Sequence, residues 1–528
     1  MRNIGMGAGM AGVVDQDTNT LFVGGGGPDH AEPQRLLMKY ANRHGLIAGA
    51  TGTGKTVTLQ TLAESLSLAG VPVFLADVKG DLSGMARAGS IDAKPHQAFA
   101  DRASQIGVTL DYQAFPVTFW DVWGEKGHPV RTTPAEMGPL LLSRLLDLTD
   151  AQEGVMNIAF RVADEQGLAL LDLKDLQAML VWVGQNAADL SLRYGNVSTA
   201  SVGAIQRALL VLENQGGTSL FGEPALELSD IIRQDASGKG VVNILSADRL
   251  MQSPRLYATF LLWLLSELFE QLPEVGDPDR PRIAFFFDEA HLLFDDAPKA
   301  LIEKVEQVAR LIRSKGVSVW FISQNPTDIP DAILAQLGNR VQHALRAFTA
   351  KDQKALRMAA QNYRANPDFD TAEAIQHVGT GEAVTSLLEA KGVPGMVQRT
   401  LIRPPFSRMG PIIDNERADV MNASPMAVKY TRPIDRESAH EILARRTEDA
   451  AKAIAQSEED EALFDMGRQE YRNARRYQPR AEAQPTRRQA SRSDSIVETF
   501  GKSLARQLGT KSGQAIVRGV LGSLFRGR

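Results

Sequence analysis

Short apolar runs alternate with longer stretches of helical spacing through most of this 528-residue chain. Several runs are continuously apolar, which is typical of strands buried on both faces of a parallel sheet. The predicted strands are residues 20–23, 46–48, 71–76, 117–120, 241–245, 283–287, 317–323 and 341–345. The pattern therefore predicts an α/β fold in which helices cover a mostly parallel sheet.

Changes in this pattern divide the chain further. Strand signals fade between 121 and 239 and helical periodicity replaces them, which predicts a large helical insertion into the sheet domain. Charged, helix-forming residues dominate 436–480. The predicted organisation is a Gly-rich, loop-rich lead-in (1–42), a first part of the core (43–120), the insertion (121–239), a second part of the core (240–405), a charged helical extension (406–480), and a partly disordered linker with a basic amphipathic tail (481–528).

Composition excludes several classes of protein. The chain has no cysteine, so disulfide frameworks, thiolate metal sites and cysteine nucleophiles are excluded. The longest apolar run near mid-chain, 260–265, is far shorter than the roughly 20 residues of a membrane-spanning helix, and the N-terminus lacks a secretory pattern. We expect no transmembrane segment and a cytoplasmic location.

Charge is distributed unevenly. Residues 481–528 contain nine Lys or Arg and three acids, whereas the whole chain has a net charge of −5. The remaining body is therefore acidic, which argues against a protein coated with nucleic acid but allows a local basic channel. Two apolar stripes in the tail, within 496–508 and 516–525, predict docking onto the protein's own ring. Binding to an anionic membrane or to an unidentified acidic partner is the alternative.

The segment from Gly49 to Thr56 matches the phosphate-loop pattern G-x-x-x-x-G-K-[ST] in full. It follows the predicted strand 46–48 and opens a stretch of helical spacing, where backbone N–H groups and a helix N-terminus bind phosphate. Lys55 is expected to reach the β and γ phosphates of ATP, and Thr56 to bind Mg²⁺. A Gly-rich turn without a ligand is the alternative. The predicted nucleotide contacts are Gly49, Ala50, Thr51, Gly52, Thr53, Gly54, Lys55 and Thr56.

Two adjacent carboxylates, Asp288 and Glu289, follow the apolar strand 283–287. Ligands of α/β sheets bind at the carboxyl ends of strands, so we expect Asp288 to hold Mg²⁺ and Glu289 to polarise the attacking water. A solvated turn is the alternative. The 233 positions between Lys55 and Asp288 are accounted for by the helical insertion.

Three further residues are weaker candidates. Gln324 follows strand 317–323 and is predicted to sense the γ-phosphate; an ordinary polar strand end is the alternative. Asp77 follows strand 71–76 at the same sheet edge, and either a catalytic or coupling role or a helix cap fits it. Arg313, like Arg310, ends the helix before strand 317–323, where an arginine can complete the site of a neighbouring subunit; an ordinary surface arginine is the alternative.

The segments GATGTGKT, LADVKGDLSG, FFFDEAHLLF and FISQNPTDIP together resemble the HerA/FtsK superfamily of hexameric DNA-pumping ATPases, and most closely its bacterial HerA-like group. The resemblance covers roughly residues 42–405. It implies a RecA-like core, a homohexameric ring, and motion on duplex DNA driven by ATP and Mg²⁺. It also implies an arginine supplied in trans, at Arg313, and Arg43 matches a second arginine position of the family.

The chain departs from that superfamily in several ways. Its first 42 residues are too few for the N-terminal β-barrel of archaeal HerA, and it lacks the membrane segments and winged-helix reader of FtsK. The letters Asp288-Glu289-Ala290-His291 also match DEAH-type helicases. Those enzymes keep the two motifs closer together and continue with elements that this chain lacks, which leaves His291 as a first-turn helix residue. A nucleotide-regulated scaffold or protein-remodelling ATPase that never acts on DNA remains the alternative function.

Overall fold

A computed structural model describes residues 12–294 and 299–474. The linker and tail at 481–528 lie outside the described residues, as do their predicted stripes. The described strands form one sheet. They are β1 Val14–Asp15, β2 Thr20–Gly26, β3 Glu32–Leu37, β4 Gly45–Ala48, β5 Val73–Asp77, β6 Val117–Asp121, β7 His128–Pro129, β8 Val242–Ser246, β9 Ile283–Phe287, β10 Val317–Ser323, β11 Asn339–Gln342, β12 Glu382–Ser386 and β13 Gln398–Ile402.

The sheet has a parallel part and an antiparallel part. The parallel part runs in the order β7-β6-β8-β5-β9-β10-β4-β11. From β11 the sheet continues through β12, β13, β2 and β1 in antiparallel pairs, and β3 pairs with β2. Every residue of β5, β8, β9 and β10 is buried, because helices cover both faces. The fold is therefore α/β with a mostly parallel central sheet, as predicted.

The prediction that 1–42 is loop-rich with one short strand is wrong for the described part of that segment. β1, β2 and β3 lie there and join the sheet through β13. Gly24, Gly25 and Gly26 belong to β2. The backbones of β2 and β13 approach too closely there for a side chain, since a Cβ at Gly24 would lie 2.2 Å from Leu401 O. A glycine inside a strand often marks such an approach rather than a loop.

Helices cover the parallel part and fill the long segment between β6 and β8. Between 121 and 239 the structure contains α3 to α9 and only the two-residue strand β7. The helices are α1 Lys55–Leu68, α2 His96–Gln105, α3 Pro134–Leu145, α4 Asp150–Gln166, α5 Leu173–Gln185, α6 Ala187–Tyr194, α7 Thr199–Leu212, α8 Thr218–Leu220, α9 Leu228–Ile231, α10 Pro254–Gln271, α11 Lys299–Ile312, α12 Asp331–Leu334, α13 Ala350–Gln361, α14 Thr371–His377, α15 Asp414–Ala423, α16 Met426–Tyr430 and α17 Ala439–Ala474.

The described residues belong to two compact units, which divide between Ala439 and His440. The first unit contains the sheet and the helices up to α16. The second unit, as far as it is described, consists of α17, whose exposed apolar side chains include Leu463 and Phe464. None of the described helices is long and apolar enough to cross a membrane.

Candidate active site

The phosphate-loop segment connects β4 to α1. β4 ends at Ala48 and α1 begins at Lys55, so residues 49–54 must turn within six positions. Gly54 has φ 117°, in the left-handed region that favours glycine. A Cβ at Gly49 would lie 2.5 Å from the Cβ of His343, so glycine is required there by space. The structure therefore favours glycine at both motif positions, at Gly54 for its backbone conformation and at Gly49 for lack of space.

Lys55 is buried at the mouth of this loop. Its Nζ donates hydrogen bonds to Gly49 O at 2.6 Å and to Ala50 O at 3.2 Å. Burial lowers the pKa of Lys55, and the nearby Glu289 and Asp288 carboxylates oppose that shift. The first N–H groups of α1 have no partner within the helix and carry its positive dipole end. The loop thus presents a cation and free N–H donors to an anion.

Four adjacent parallel strands bring the acidic and amide candidates to this loop. In the order β5-β9-β10-β4, the residues at or just past the carboxyl ends are Asp77, Asp288, Gln324 and Gly49. Because these strands are parallel, the four residues share one edge of the sheet. The structure therefore brings together the candidates that the sequence placed at separate strand ends.

Asp288 and Glu289 are both buried, and Glu289 has a left-handed backbone conformation, with φ 47° and ψ 48°. Asp288 Oδ1 accepts a hydrogen bond from the Glu289 N–H at 3.0 Å. Burial raises the pKa of Asp288 to about 6, although the Lys79 ammonium favours its charged form. A bound cation would favour that form further. Such backbone strain in a non-glycine residue is typical of a functional site.

Lys79 is a site residue that the sequence analysis missed. Its Nζ donates a 2.7 Å hydrogen bond to Glu289 Oε1. Burial would raise the pKa of Glu289, but this hydrogen bond and the Lys79 charge outweigh it and leave the pKa lowered. The segment LADVKGDLSG contains Lys79, and its position after the buried strand β5 beside β9 was the signal that could have identified it.

Gln324 and His291 lie on the other oxygen of the same carboxylate. Gln324 Nε2 is 3.5 Å from Glu289 Oε2, which is at the limit of a hydrogen bond, and Gln324 is exposed. His291, in the 3₁₀ helix Ala290–Leu293, has its Nδ1 3.4 Å from the same oxygen. Gln324 therefore lies beside Glu289, a position that suits a residue responding to phosphate. Its role as a sensor remains a prediction.

Asp77 organises the loop that carries Lys79. Its Oδ1 accepts a hydrogen bond from the Gly80 N–H at 2.8 Å, and its Oδ2 from the Leu82 N–H at 3.1 Å. Burial, followed by the charge of Asp81, raises the pKa of Asp77 to about 7. These contacts favour the capping alternative, because Leu82 begins the 3₁₀ helix Leu82–Ala86.

Arg43 and Arg313 lie at the opposite edge of the sheet. Arg43 precedes the first residue of β4, and Arg313 precedes the first residue of β10, so both are at amino ends of strands. They share one carboxylate: Asp277 Oδ1 is 3.0 Å from Arg313 Nη2, and Asp277 Oδ2 is 3.5 Å from Arg43 Nη2. The structure does not bring either arginine to the phosphate loop of its own chain.

The residues at the carboxyl edge fit a magnesium nucleotide. Thr56 follows Lys55 at the start of α1, at the same edge as Asp288. The Thr56 hydroxyl and the Asp288 carboxylate are oxygen ligands of the kind that Mg²⁺ prefers. Asp81 Oδ1 is buried and has no hydrogen-bond partner within the described residues, so an acceptor remains for a hydrated ion. Within the described ranges no three His, Asp or Glu side chains are grouped to hold an ion alone. Mg²⁺ there would share its ligands with phosphate.

Several solved structures are similar to this chain. One is the bacterial conjugative coupling protein TrwBdeltaN70 in its unbound monoclinic form, with 14% identity, 75% of this chain and 93% of that chain covered, and a TM-score of 0.46. Another is VirB4 of Thermoanaerobacter pseudethanolicus, with 16% identity, 78% and 99% covered, and a TM-score of 0.46. Among curated proteins no sequence match was found.

The family comparison is more extensive. The family model described as "Helicase HerA-like C-terminal" matches residues 26–528. The matched range includes the phosphate loop, Asp288 and Glu289, and both arginines of the opposite edge. Because the match spans nearly the whole chain, this protein is a P-loop ATPase that belongs to the HerA-like helicase C-terminal family.

Proposed function

We propose that this chain is an ATP-hydrolysing motor that uses Mg²⁺ and assembles into a homohexameric ring to move along duplex DNA. One observation carries the proposal: the nucleotide-site candidates lie at one edge of the sheet, and Arg43 and Arg313 lie at the other. Because the phosphate loop and the arginines of one chain lie at opposite edges, an active site that needs both requires the phosphate loop of one copy and an arginine of a neighbouring copy. We also place the protein in the cytoplasm, where a motor acting on DNA would work.

The chemistry follows from the site residues. Lys55 and the N–H groups at the start of α1 would bind the phosphates, and Glu289, kept ionised by Lys79, would take a proton from the attacking water. Mg²⁺, when bound, would neutralise phosphate charge and be held by Thr56 and Asp288. Arg313 or Arg43 of an adjacent subunit would stabilise the charge of the transition state.

Mixing two inactive variants tests the shared site. Glu289→Gln should bind ATP but hydrolyse it orders of magnitude more slowly, and Arg313→Ala should lose hydrolysis while keeping its own carboxyl edge intact. In a mixture, the Arg313 of a Glu289→Gln subunit can complete the site of an Arg313→Ala subunit. Phosphate release should therefore exceed that of either variant alone.

The matched control mixes Lys55→Ala with Glu289→Gln, which damage the same edge and should give no recovery. If the Arg313→Ala and Glu289→Gln mixture shows only the average of its components, the shared site is wrong. A monomer at micromolar concentration with ATP and Mg²⁺, measured by light scattering, would contradict the ring.

The second candidate function is a nucleotide-regulated scaffold or remodelling ATPase that does not act on DNA, which the acidic body favours. ATPase rates with and without duplex DNA separate the two. A DNA motor should be stimulated, and stimulation should fall steeply as salt rises, because phosphate contacts release counterions. A rate unchanged by DNA, together with no DNA binding at low salt, would favour the scaffold.

A further inference from the structure

An exposed basic segment follows β11 at the same sheet edge as the phosphate loop. Residues 343–361 contain four Lys or Arg and one acid, in a chain whose net charge is negative. Phe348, between two of the cations in sequence, is 83% exposed. The strand predicted at 341–345 ends at Gln342, after which the chain leaves the sheet, and the motifs of the sequence give this region no role.

Three of these cations are available for a ligand. Arg346, Lys354 and Arg357 are exposed, and within the part of the chain that the structure describes their side chains form no ion pair or hydrogen bond. Lys354 and Arg357 are three residues apart on α13, so they lie on one face of that helix. Together with Arg346 they give this segment three exposed positive charges that lack an ion-pair partner within the described residues.

The segment is held firmly beneath its exposed side chains. Thr349 and Asp352 form a capping box at the start of α13, with hydrogen bonds of 3.2 and 2.9 Å. Leu345 and Leu356 pack into an apolar cluster with Ile375. A hydrophobic residue in the position of Phe348 often packs on the fourth residue of the following helix, but that residue is Gln353, and the ring stays exposed. A rigid base thus presents an aromatic ring and cations to solvent.

The same segment is bonded to the phosphate loop. The Ala50 N–H donates a 2.8 Å hydrogen bond to Ala344 O, two residues before Arg346. The His343 imidazole lies between Thr58 Oγ1 at 2.8 Å and Glu382 O at 2.9 Å, and so joins α1 to β12. A change in the phosphate loop would be transmitted directly to the base of the exposed segment.

We propose that residues 346–358 form the surface through which this chain contacts the phosphate backbone of DNA. The inference rests on the proposed function and assigns the contact to particular residues. Exposed cations without an ion-pair partner attract the phosphates of a polyanion, and an exposed aromatic ring packs on sugars or stacks on unpaired bases. The hydrogen bond between Ala50 and Ala344 would let ATP hydrolysis change the affinity of this surface for DNA.

Binding of a fluorescent duplex, measured by anisotropy over a range of salt concentrations, tests the surface. Arg346→Ala/Lys354→Ala should bind about tenfold more weakly and reduce the salt slope by about 2, because each removed cation leaves one phosphate with its counterions. The matched control is Lys94→Ala/Arg207→Ala, which removes the same two residue types from exposed positions elsewhere and should bind like the wild type. ATP binding should be unchanged in both proteins.

The affinities of Phe348→Ala for single-stranded and for duplex DNA show how the ring contacts DNA. A single strand of the same length should lose more affinity than the duplex if the ring stacks on bases, and equal losses would show contact with sugars; either result supports the surface. Wild-type affinity and slope in both the double variant and Phe348→Ala would overturn the inference alone. No binding by the wild type at low salt would overturn it together with the proposed function. A changed oligomeric state with unchanged DNA affinity would make the segment a contact between copies and also overturn it.

Discussion

The contact between Lys79 and Glu289 joins a surface-exposed residue to the buried carboxylate proposed to activate water. The Lys79 side chain is 43% exposed, whereas the Glu289 side chain that it contacts is buried. Lys79→Met would remove the hydrogen-bond donor and leave Glu289 without its main partner. We expect kcat to fall about tenfold with little change in the KM for ATP, because the contact acts on the water-activating group. Steady-state phosphate release measures both parameters.

Lys79→Arg is the control for that prediction, since it retains a donor and a positive charge and should recover part of the loss. A higher KM with an unchanged kcat would instead make Lys79 a nucleotide-binding residue.

His44 should make the stability of the protein depend on pH. It is fully buried; Nε2 lies 2.6 Å from Ala309 O, and Nδ1 accepts from the Val319 N–H at 3.0 Å. Burial lowers its pKa from 6.5 to about 4, and the Arg313 charge adds to this effect. Below pH 6.5 the unfolded chain therefore binds a proton that the native state excludes, and stability falls, by up to roughly 3 kcal/mol as pH approaches 4.

Urea unfolding midpoints between pH 7.5 and pH 5 measure this loss. His44→Gln should be less stable at pH 7.5 but lose less between the two pH values. His377→Gln, on the exposed face of α14, serves as the control and should retain the wild-type difference. An identical pH dependence in His44→Gln would contradict the assignment.

At the scale of elements, a buried ion pair fastens the segment after β13 to α1. Arg403 Nη1 is 3.0 Å from Glu64 Oε2, and Glu64 Oε1 also accepts hydrogen bonds from the N–H and Oγ of Ser407. Glu64→Ala would leave Arg403 buried and unpaired. We expect a loss of about 3–5 kcal/mol, measured by chemical denaturation.

Glu64→Leu/Arg403→Met removes both charges and should cost less than the single change. Arg161→Ala, which breaks an exposed pair with Glu165, should leave the midpoint nearly unchanged. Equal stability of Glu64→Ala and the wild type would show that another contact holds the segment.

The sequence predicted the elements whose side chains are apolar on both faces. β9 and β10 match their predicted ranges in full, since their continuous apolar runs have no other explanation in an α/β chain. β3, β12 and β13 were missed because their polar residues, as in QRTLI, give a weak strand signal. In the site, motif residues were predicted, whereas Lys79 was not, because its importance arises only when β5 and β9 pair.

At the scale of the whole molecule, the candidate catalytic residues all lie in the first compact unit. Deletion of residues 494–528 should therefore leave basal ATP hydrolysis within about twofold of the wild type at equal ring concentration. Ring stability or partner recruitment should change instead, because the deleted stripes would bury their apolar residues on another surface. Sedimentation and phosphate release on the same samples measure both. A large change in turnover per ring would assign the tail to the nucleotide site.

The placement of the two arginines opposite the phosphate loop also determines how activity scales with assembly. In the proposed shared site each chain offers one half-site at each edge, so the contact between copies would be head to tail, and such contacts give either closed rings or open filaments. A linear array of n chains contains n − 1 complete sites, whereas a ring of n chains contains n. Turnover per chain is then zero for a monomer, rises with array length, and reaches its maximum only at closure. Dilution that separates the copies would therefore abolish ATP hydrolysis before any chain unfolds.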